Sequence, residues 1–217
     1  RTRPAMLGLG ALAVGLWAVA LLVPRASADR PGAFTIDYFR DDSAGKAQWT
    51  VASKQAPLPA DFPGQWKKAI PDYSARTRWV ADAPMLDVPR PSAELVRSDP
   101  VGDGRRVLIV LRPNGADAMS IRFTEGTSLL RLGTPGETLP IPPRGKPDKA
   151  LLRCSGRSCD GMLVELLLAD RKPVVADLFA SRFALPPQGA PLAARRPADA
   201  HPQYGTDSSI RRRVIKF

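Results

Sequence analysis

The chain has 217 residues, including 23 prolines and 17 glycines, and it carries a net charge of +11 at pH 7. The prolines and glycines disfavour long helices and favour short strands joined by turns. Aromatic residues make up only 6% of the chain and the basic residues are scattered among acidic ones, which argues against a nucleic-acid partner.

The first element is an uncharged segment that runs from Pro4 to Val23. Twenty residues of helix span about 30 Å, which is the thickness of the hydrocarbon core of a bilayer. We therefore expect one transmembrane helix, with a short basic flank, over residues 1–25. The lipid bilayer is then the first partner of the chain.

A secretory signal peptide is the alternative interpretation of this segment. Arg1 and Arg3 would form its basic region, and Ala26-Ser27-Ala28 fits a cleavage site. The length of the apolar run and the absence of a starting Met favour a retained helix in a piece of a longer protein. Both interpretations export residues 26–217, so we expect a bacterial inner-membrane location with these residues in the periplasm.

Residues 26–92 are predicted to form a juxtamembrane hairpin and a proline-rich linker. Strands are expected at 34–40 and 46–53, joined by a turn from Asp41 to Gly45. A short helical turn is predicted at 65–69 and a further strand at 77–81. Pro84, Pro89 and Pro91 mark the end of the linker.

Residues 93–186 show a more regular pattern, in which glycine and proline turns separate short apolar segments. The predicted strands are 93–97, 105–112, 118–124, 128–132, 149–154, 162–169 and 174–183. Seven short strands with such turns predict an antiparallel β-sandwich of jelly-roll type. The chain is therefore expected to be mainly β.

Residues 187–217 are predicted to be a proline-rich tail that ends in a basic strand at 210–217. The strand contains a local basic cluster, formed by Arg211, Arg212, Arg213 and Lys216. An ordinary exposed strand is one interpretation of this cluster. Contact with an anionic surface is the functional alternative.

Cys154 and Cys159 form the sharpest local motif, since they are the only cysteines and a Gly-containing turn separates them. In an oxidising compartment this spacing favours a disulfide that closes a hairpin. A zinc half-site and a redox-active pair are the alternatives. The first lacks a second pair of cysteines, and the second usually has the C-x-x-C spacing.

Catalytic motifs are scarce. Asp37, Asp41 and Asp42 lie near a turn, where carboxylates usually bind backbone and water. A Ser–His–Asp arrangement would require His201, the only histidine of the chain. The sequence contains no phosphate-binding loop, dinucleotide fingerprint or metalloprotease helix motif. We expect this chain alone to be non-catalytic, with no cofactor of its own.

The order of motifs nevertheless resembles a known family over nearly the whole chain. After the apolar helix come Ile36-Asp37-Tyr38-Phe39-x-Asp41-x-x-x-Gly45-x-Ala47-x-Trp49, Arg153-Cys154-x-Gly156-x-x-Cys159-Asp160-Gly161-Met162, Leu185-Pro186-Pro187-x-Gly189-Ala190-Pro191 and Pro202-Gln203-Tyr204-Gly205-x-Asp207-Ser208. This pattern resembles the C-terminal region of bacterial multi-spanning zinc metallopeptidases of family 28, relatives of the endoplasmic-reticulum (Fxna-like) metallopeptidases.

The resemblance implies an aminopeptidase whose zinc ligands and catalytic Glu lie upstream of Arg1. A di-zinc site needs several convergent ligands, and one histidine cannot supply them. No catalytic or metal-binding residue of the family is therefore assigned to this chain. The resemblance implies a membrane-anchoring and accessory β-domain, partnered by the upstream peptidase domain and membrane helices. A free-standing anchored or secreted binding module is the alternative.

Overall fold

The computed structural model describes residues 3–22, 31–54, 57–123, 127–141 and 151–217. These residues form two helices, α1 (Arg3–Leu22) and α2 (Ala190–Ala193). They also form fourteen strands: β1 (Gly32–Asp41), β2 (Lys46–Ser53), β3 (Lys67–Ala69), β4 (Arg78–Asp82), β5 (Ser92–Val101), β6 (Gly104–Arg112), β7 (Ala118–Phe123), β8 (Leu129–Thr134), β9 (Glu137–Pro140), β10 (Leu151–Ser155), β11 (Leu163–Leu168), β12 (Val175–Arg182), β13 (Ala200–His201) and β14 (Ser208–Lys216). The prediction of a mainly β fold is confirmed.

Helix α1 exposes apolar side chains. Those described belong to residues 11–21, and all of them are exposed. No helix in the described part of the chain is long and apolar enough to cross a membrane. The cleavage site predicted at residues 26–28 lies outside the described residues.

The larger sheet has the strand order β10-β7-β12-β14-β1-β2-β4-β3, and β13 pairs with β1 beside this path. Strand β1 is antiparallel to β2, with Tyr38 opposite Trp49, but parallel to β14, with Asp37 opposite Ser208. The sheet is therefore mixed, whereas the sequence predicted antiparallel pairing throughout. A parallel pair needs a long connection, and residues 42–207 provide one between β1 and β14.

The smaller sheet has the order β5-β6-β11-β8-β9 and is antiparallel throughout. Its inward side chains share one core with strands β7 and β12 of the larger sheet. Fully buried members of this core include Val107, Ile109, Ile121, Leu166 and Leu178. The two sheets are thus held together by alternate residues of their strands, as in other two-layer β folds.

A second core lies under the N-terminal half of the larger sheet. It joins Phe34, Ile36 and Tyr38 of β1 to Trp49 of β2, and residues of the linker and of the segment after β12 cover it. The larger sheet thus runs across the divisions predicted at residues 92 and 186. These divisions followed the prolines, but strand pairing between distant segments joins the regions they separate.

Every predicted strand overlaps an observed one. Residue 124 and residues 149–150, at the ends of two predicted strands, lie outside the described residues. The helical turn predicted at 65–69 is wrong, because Lys67–Ala69 forms β3 against β4. Strands β3, β9 and β13 were not predicted. Each has at most four residues, which is too short for an alternating pattern to be recognised.

Candidate functional site

Four charged side chains form a row on one face of the larger sheet, where β1, β14, β12 and β7 lie side by side. This ion-pair row consists of Asp41, Arg212, Asp177 and Arg122. Arg212 donates to Asp41 Oδ2 through Nη1 at 2.7 Å and to Asp177 Oδ1 through Nε and Nη2 at 3.0 and 2.7 Å. Arg122 donates to Asp177 Oδ2 at 2.7 and 3.1 Å.

Both carboxylates of the ion-pair row are buried, and Asp41 is completely so. Asp41 Oδ1 also accepts the backbone N–H groups of Ser43 and Ala44, which closes the turn after β1. Burial alone would raise the pKa of Asp41, but these hydrogen bonds and Arg212 outweigh it and hold the pKa below its usual value. Asp41 is therefore ionised at neutral pH.

The opposite face of the same strands carries a second cluster, centred on Asp42. Arg211 Nε lies 2.9 Å from its Oδ2 and Arg40 Nε lies 2.8 Å from its Oδ1. Arg90 and Arg213 approach the same carboxylate at 3.9 Å. Burial opposes ionisation of Asp42, but Arg211 and Arg40 lower its pKa overall.

The arginines of this second cluster also hold the proline-rich linker against the sheet. Their donations to linker carbonyls are Arg40 to Leu86, Arg211 to Val88 and Arg213 to Pro91, at 2.7 to 2.9 Å. Tyr38 adds a fourth attachment, since its hydroxyl donates to Pro84 O and accepts from Leu86 N. Prolines cannot donate to a ladder, so side-chain donors hold this segment instead.

An open groove of about 690 Å³ lies beside this cluster, between the linker and the ends of strands from both sheets. We call it the arginine groove. Its lining includes Asp87, Arg90, Ser92, Asn114, Arg182 and Arg213. Asn114 and Gly115, which both have positive φ, lie in the connection between β6 and β7 and also line the groove. Asn114 also donates to Arg90 O at 2.8 Å.

Charge is unbalanced at the arginine groove. Burial lowers the pKa of Arg213, and the nearby guanidinium of Arg90 lowers it further. The side chain of Arg182 is exposed and has neither a hydrogen bond nor an ion pair with any described residue. This arrangement suits the binding of an anion better than proton transfer or nucleophilic chemistry.

The basic cluster, interpreted either as an ordinary exposed strand or as a contact for an anionic surface, is divided by the alternation of β14. Arg211 is 5% exposed and joins Asp42, whereas Arg212 points to the other face and joins the ion-pair row. Arg213 is partly buried, and Lys216 is exposed. The burial of Arg211 and the pairing of Arg212 oppose the predicted surface contact for these two residues.

Cys154 and Cys159 form a disulfide, with their Cα atoms 5.5 Å apart. It joins the end of β10 to the short 3-10 turn at Arg157–Cys159. Gly156 N donates to Asp117 O, which ties this loop to the start of β7. The disulfide predicted from the spacing is confirmed as a feature of the structure.

Other candidates for chemistry are dispersed. His201 is exposed in β13. Asp37 is buried and accepts from Arg78 Nη1 at 2.6 Å and from Ser208 Oγ at 2.6 Å, so its carboxylate is fully engaged. Tyr73 also donates to Asp37, and burial raises the pKa of this tyrosine strongly. Within the described ranges, no group of three or more His, Cys, Asp or Glu residues could hold a metal ion.

Comparison with known proteins adds no relative. The chain matches no protein-family model, no curated protein and no solved structure. Functional inference therefore rests on the sequence motifs and on the contacts described above.

Proposed function

We propose that this chain is a membrane-anchored, non-catalytic β-sandwich domain that assists a zinc-dependent aminopeptidase. Peptide hydrolysis would take place in an upstream domain that holds the zinc and the catalytic Glu. The observation that carries the anchoring role is the exposure of α1. Six large apolar side chains between residues 12 and 21 are 60 to 68% exposed: Leu12, Val14, Leu16, Trp17, Val19 and Leu21.

Such a surface is unfavourable in water. Full burial of a Leu or Val side chain is worth about 1.5–3 kcal/mol relative to exposure, so six partly exposed ones represent a large driving force for insertion. The membrane span is inferred from the sequence, in which twenty residues from Pro4 to Val23 carry no charge, whereas no helix among the described residues meets the requirements of a span. With the end that carries Arg1 and Arg3 in the cytoplasm, the β-domain would lie on the exported side.

The disulfide agrees with this location, because such bonds persist in oxidising compartments such as the bacterial periplasm. The link to a peptidase rests on the order of motifs from Ile36 to Ser208. The β-domain would contribute by packing on the catalytic domain, shaping access to its site or securing the protein in the membrane. The ion-pair row and the fastened linker support a rigid scaffold of this kind.

The anchoring role is tested by extraction of membranes at alkaline pH. The unaltered chain is expected to remain in the membrane pellet, and the variant carrying Leu12→Arg and Leu16→Arg is expected to move to the soluble fraction. Each arginine at the centre of a membrane helix costs about 2.5–3.5 kcal/mol. Leu139→Arg, at an exposed leucine of β9, is the matched control and should stay in the pellet. Release of the unaltered chain would refute anchoring.

The accessory role is tested in the complete peptidase proposed to contain this chain. Deletion of residues 31–217 is expected to lower either its aminopeptidase turnover or its stability in the membrane. Unchanged values for both would remove the accessory role. The second candidate function is a free-standing binding module, and the arginine groove is the observation that supports it.

A further inference from the structure

We propose that the arginine groove is a binding site for a phosphoryl group. This inference is independent of the proposed membrane anchoring and of the peptidase. Its ligand would be either a free phosphate compound or the phosphodiester of a lipid headgroup. The argument rests on charge, on unused donors and on the shape of the groove.

The first step is the local charge. Four ionisable residues line the groove: Arg90, Arg182, Arg213 and Asp87. Three more form the adjoining cluster: Arg40, Arg211 and Asp42. Five arginines against two aspartates leave a net charge of +3. Asp87 is the acidic residue of the lining; its side chain is fully exposed and lies 3.6 Å from Arg211. The lining itself holds three arginines against this one aspartate and is therefore positively charged.

The second step concerns donors that remain for a ligand. Arg211 and Arg40 each donate one hydrogen bond to Asp42 and one to a linker carbonyl, and neither lines the groove. Arg182 has no side-chain partner among the described residues, and Arg90 is 62% exposed with its only ion pair at 3.9 Å. Arg213 gives one bond to Pro91 O and otherwise lies 3.9 Å from Asp42. Three guanidinium groups thus keep free N–H donors.

The third step is the match to the ligand. A guanidinium presents paired donors that fit two oxygens of a phosphate. A phosphomonoester offers three such oxygens and up to two negative charges, and a phosphodiester offers two oxygens and one negative charge. A single carboxylate pairs with one guanidinium and would leave the positive charges of the other two uncompensated. The groove volume of about 690 Å³ lies in the usual range for small-ligand sites. The open side leaves room for a substituent on the phosphate.

Binding can be measured by titration calorimetry on the complete chain in detergent micelles. The probes are pyrophosphate for a free phosphate, glycerophosphoglycerol for a lipid headgroup, and citrate as a carboxylate of similar charge. Arg182→Gln should weaken binding of the preferred phosphate by about tenfold or more, the value of one charge-assisted hydrogen bond. Because the Arg182 side chain has no partner among the described residues, the urea midpoint of this variant should match that of the parent.

Arg131→Gln is the matched control, since it removes the same charge from an exposed position in β8. Preference for pyrophosphate supports a free phosphate ligand, and preference for glycerophosphoglycerol supports a headgroup. The proposal is overturned if neither phosphate binds or if citrate binds as tightly. Equal weakening by Arg182→Gln and Arg131→Gln would also overturn it, because that result indicates general charge screening.

Discussion

Replacing Asp177 by Asn tests whether the ion-pair row stabilises the larger sheet. Asp177 is 4% exposed and accepts four N–H groups, two from Arg122 and two from Arg212. Asn removes the charge and turns an amide N–H₂ towards one of these guanidiniums. Two cations on strands β7 and β14 would then face each other across β12 without their shared anion.

The expected loss of unfolding free energy follows from these contacts. Hydrogen bonds to charged groups contribute about 1.5–3 kcal/mol each, so four of them set an upper limit of about 12 kcal/mol. Arg122 and Arg212 retain 31% and 21% of their side-chain exposure, so water compensates part of the loss. We expect about 3–5 kcal/mol for Asp177→Asn, as for other broken buried pairs. Arg122→Met leaves Arg212 on Asp177 and should cost less, about 1–2 kcal/mol.

Urea unfolding followed by tryptophan fluorescence measures these changes. Asp160→Asn is the matched control, because Asp160 is 64% exposed and lies 3.4 Å from Arg112. A surface pair of this kind is worth about 0–1 kcal/mol. A loss below 1 kcal/mol for Asp177→Asn, or a loss equal to that of Asp160→Asn, would refute the stabilising role of the row.

Three further outcomes are expected. The pKa of Asp41 is lowered in the folded state, so the stabilisation by its carboxylate is complete above the unfolded pKa of about 3.9 and is lost as the pH falls below that value. Asp41→Asn should therefore lose less unfolding free energy between pH 7 and pH 3, measured by urea unfolding, than the parent does. An equal loss in variant and parent would contradict this. Replacing both Cys154 and Cys159 by Ser should lower the unfolding free energy by about 2 kcal/mol, which is the chain-entropy value for so short a loop. A melting temperature of the unaltered chain that does not change with reductant would oppose this stabilising role. Tyr38→Phe leaves Pro84 O and Leu86 N of the linker without their hydrogen-bond partner. It should lower the unfolding free energy, measured with urea, by about 1–3 kcal/mol and speed proteolysis of the linker. Equal proteolysis of variant and parent would argue against the attachment.

Local patterns in the sequence predicted much of the fold. The hairpin of β1 and β2 follows from β-branched and aromatic residues on either side of the turn from Asp41 to Gly45. Gly45 adopts φ of +61°, which explains the glycine at the end of that turn. The disulfide followed from spacing and compartment.

The pairing of distant segments was not predictable from the same patterns. Asp41 and Arg212 meet although 171 positions separate them, and neither residue differs from an ordinary surface residue in its local context. The basic cluster was therefore interpreted as one surface, whereas β14 sends Arg211 and Arg212 to opposite faces. Alternation could have signalled this division, since successive strand residues point to opposite sides. The buried carboxylates that pair with these arginines lie in distant segments of the chain and could not be identified from the sequence.

The position of β14 between β1 and β12 has a consequence for biosynthesis. During translation, β1 and β12 emerge before the strand that joins them, so each exposes an unpaired edge until residues 208–216 leave the ribosome. Closure of the sheet across this separation is slow, since it requires contacts between segments far apart in the chain. Strand β14 thus closes the larger sheet, and until it pairs, the open edges of β1 and β12 are available for pairing with other strands.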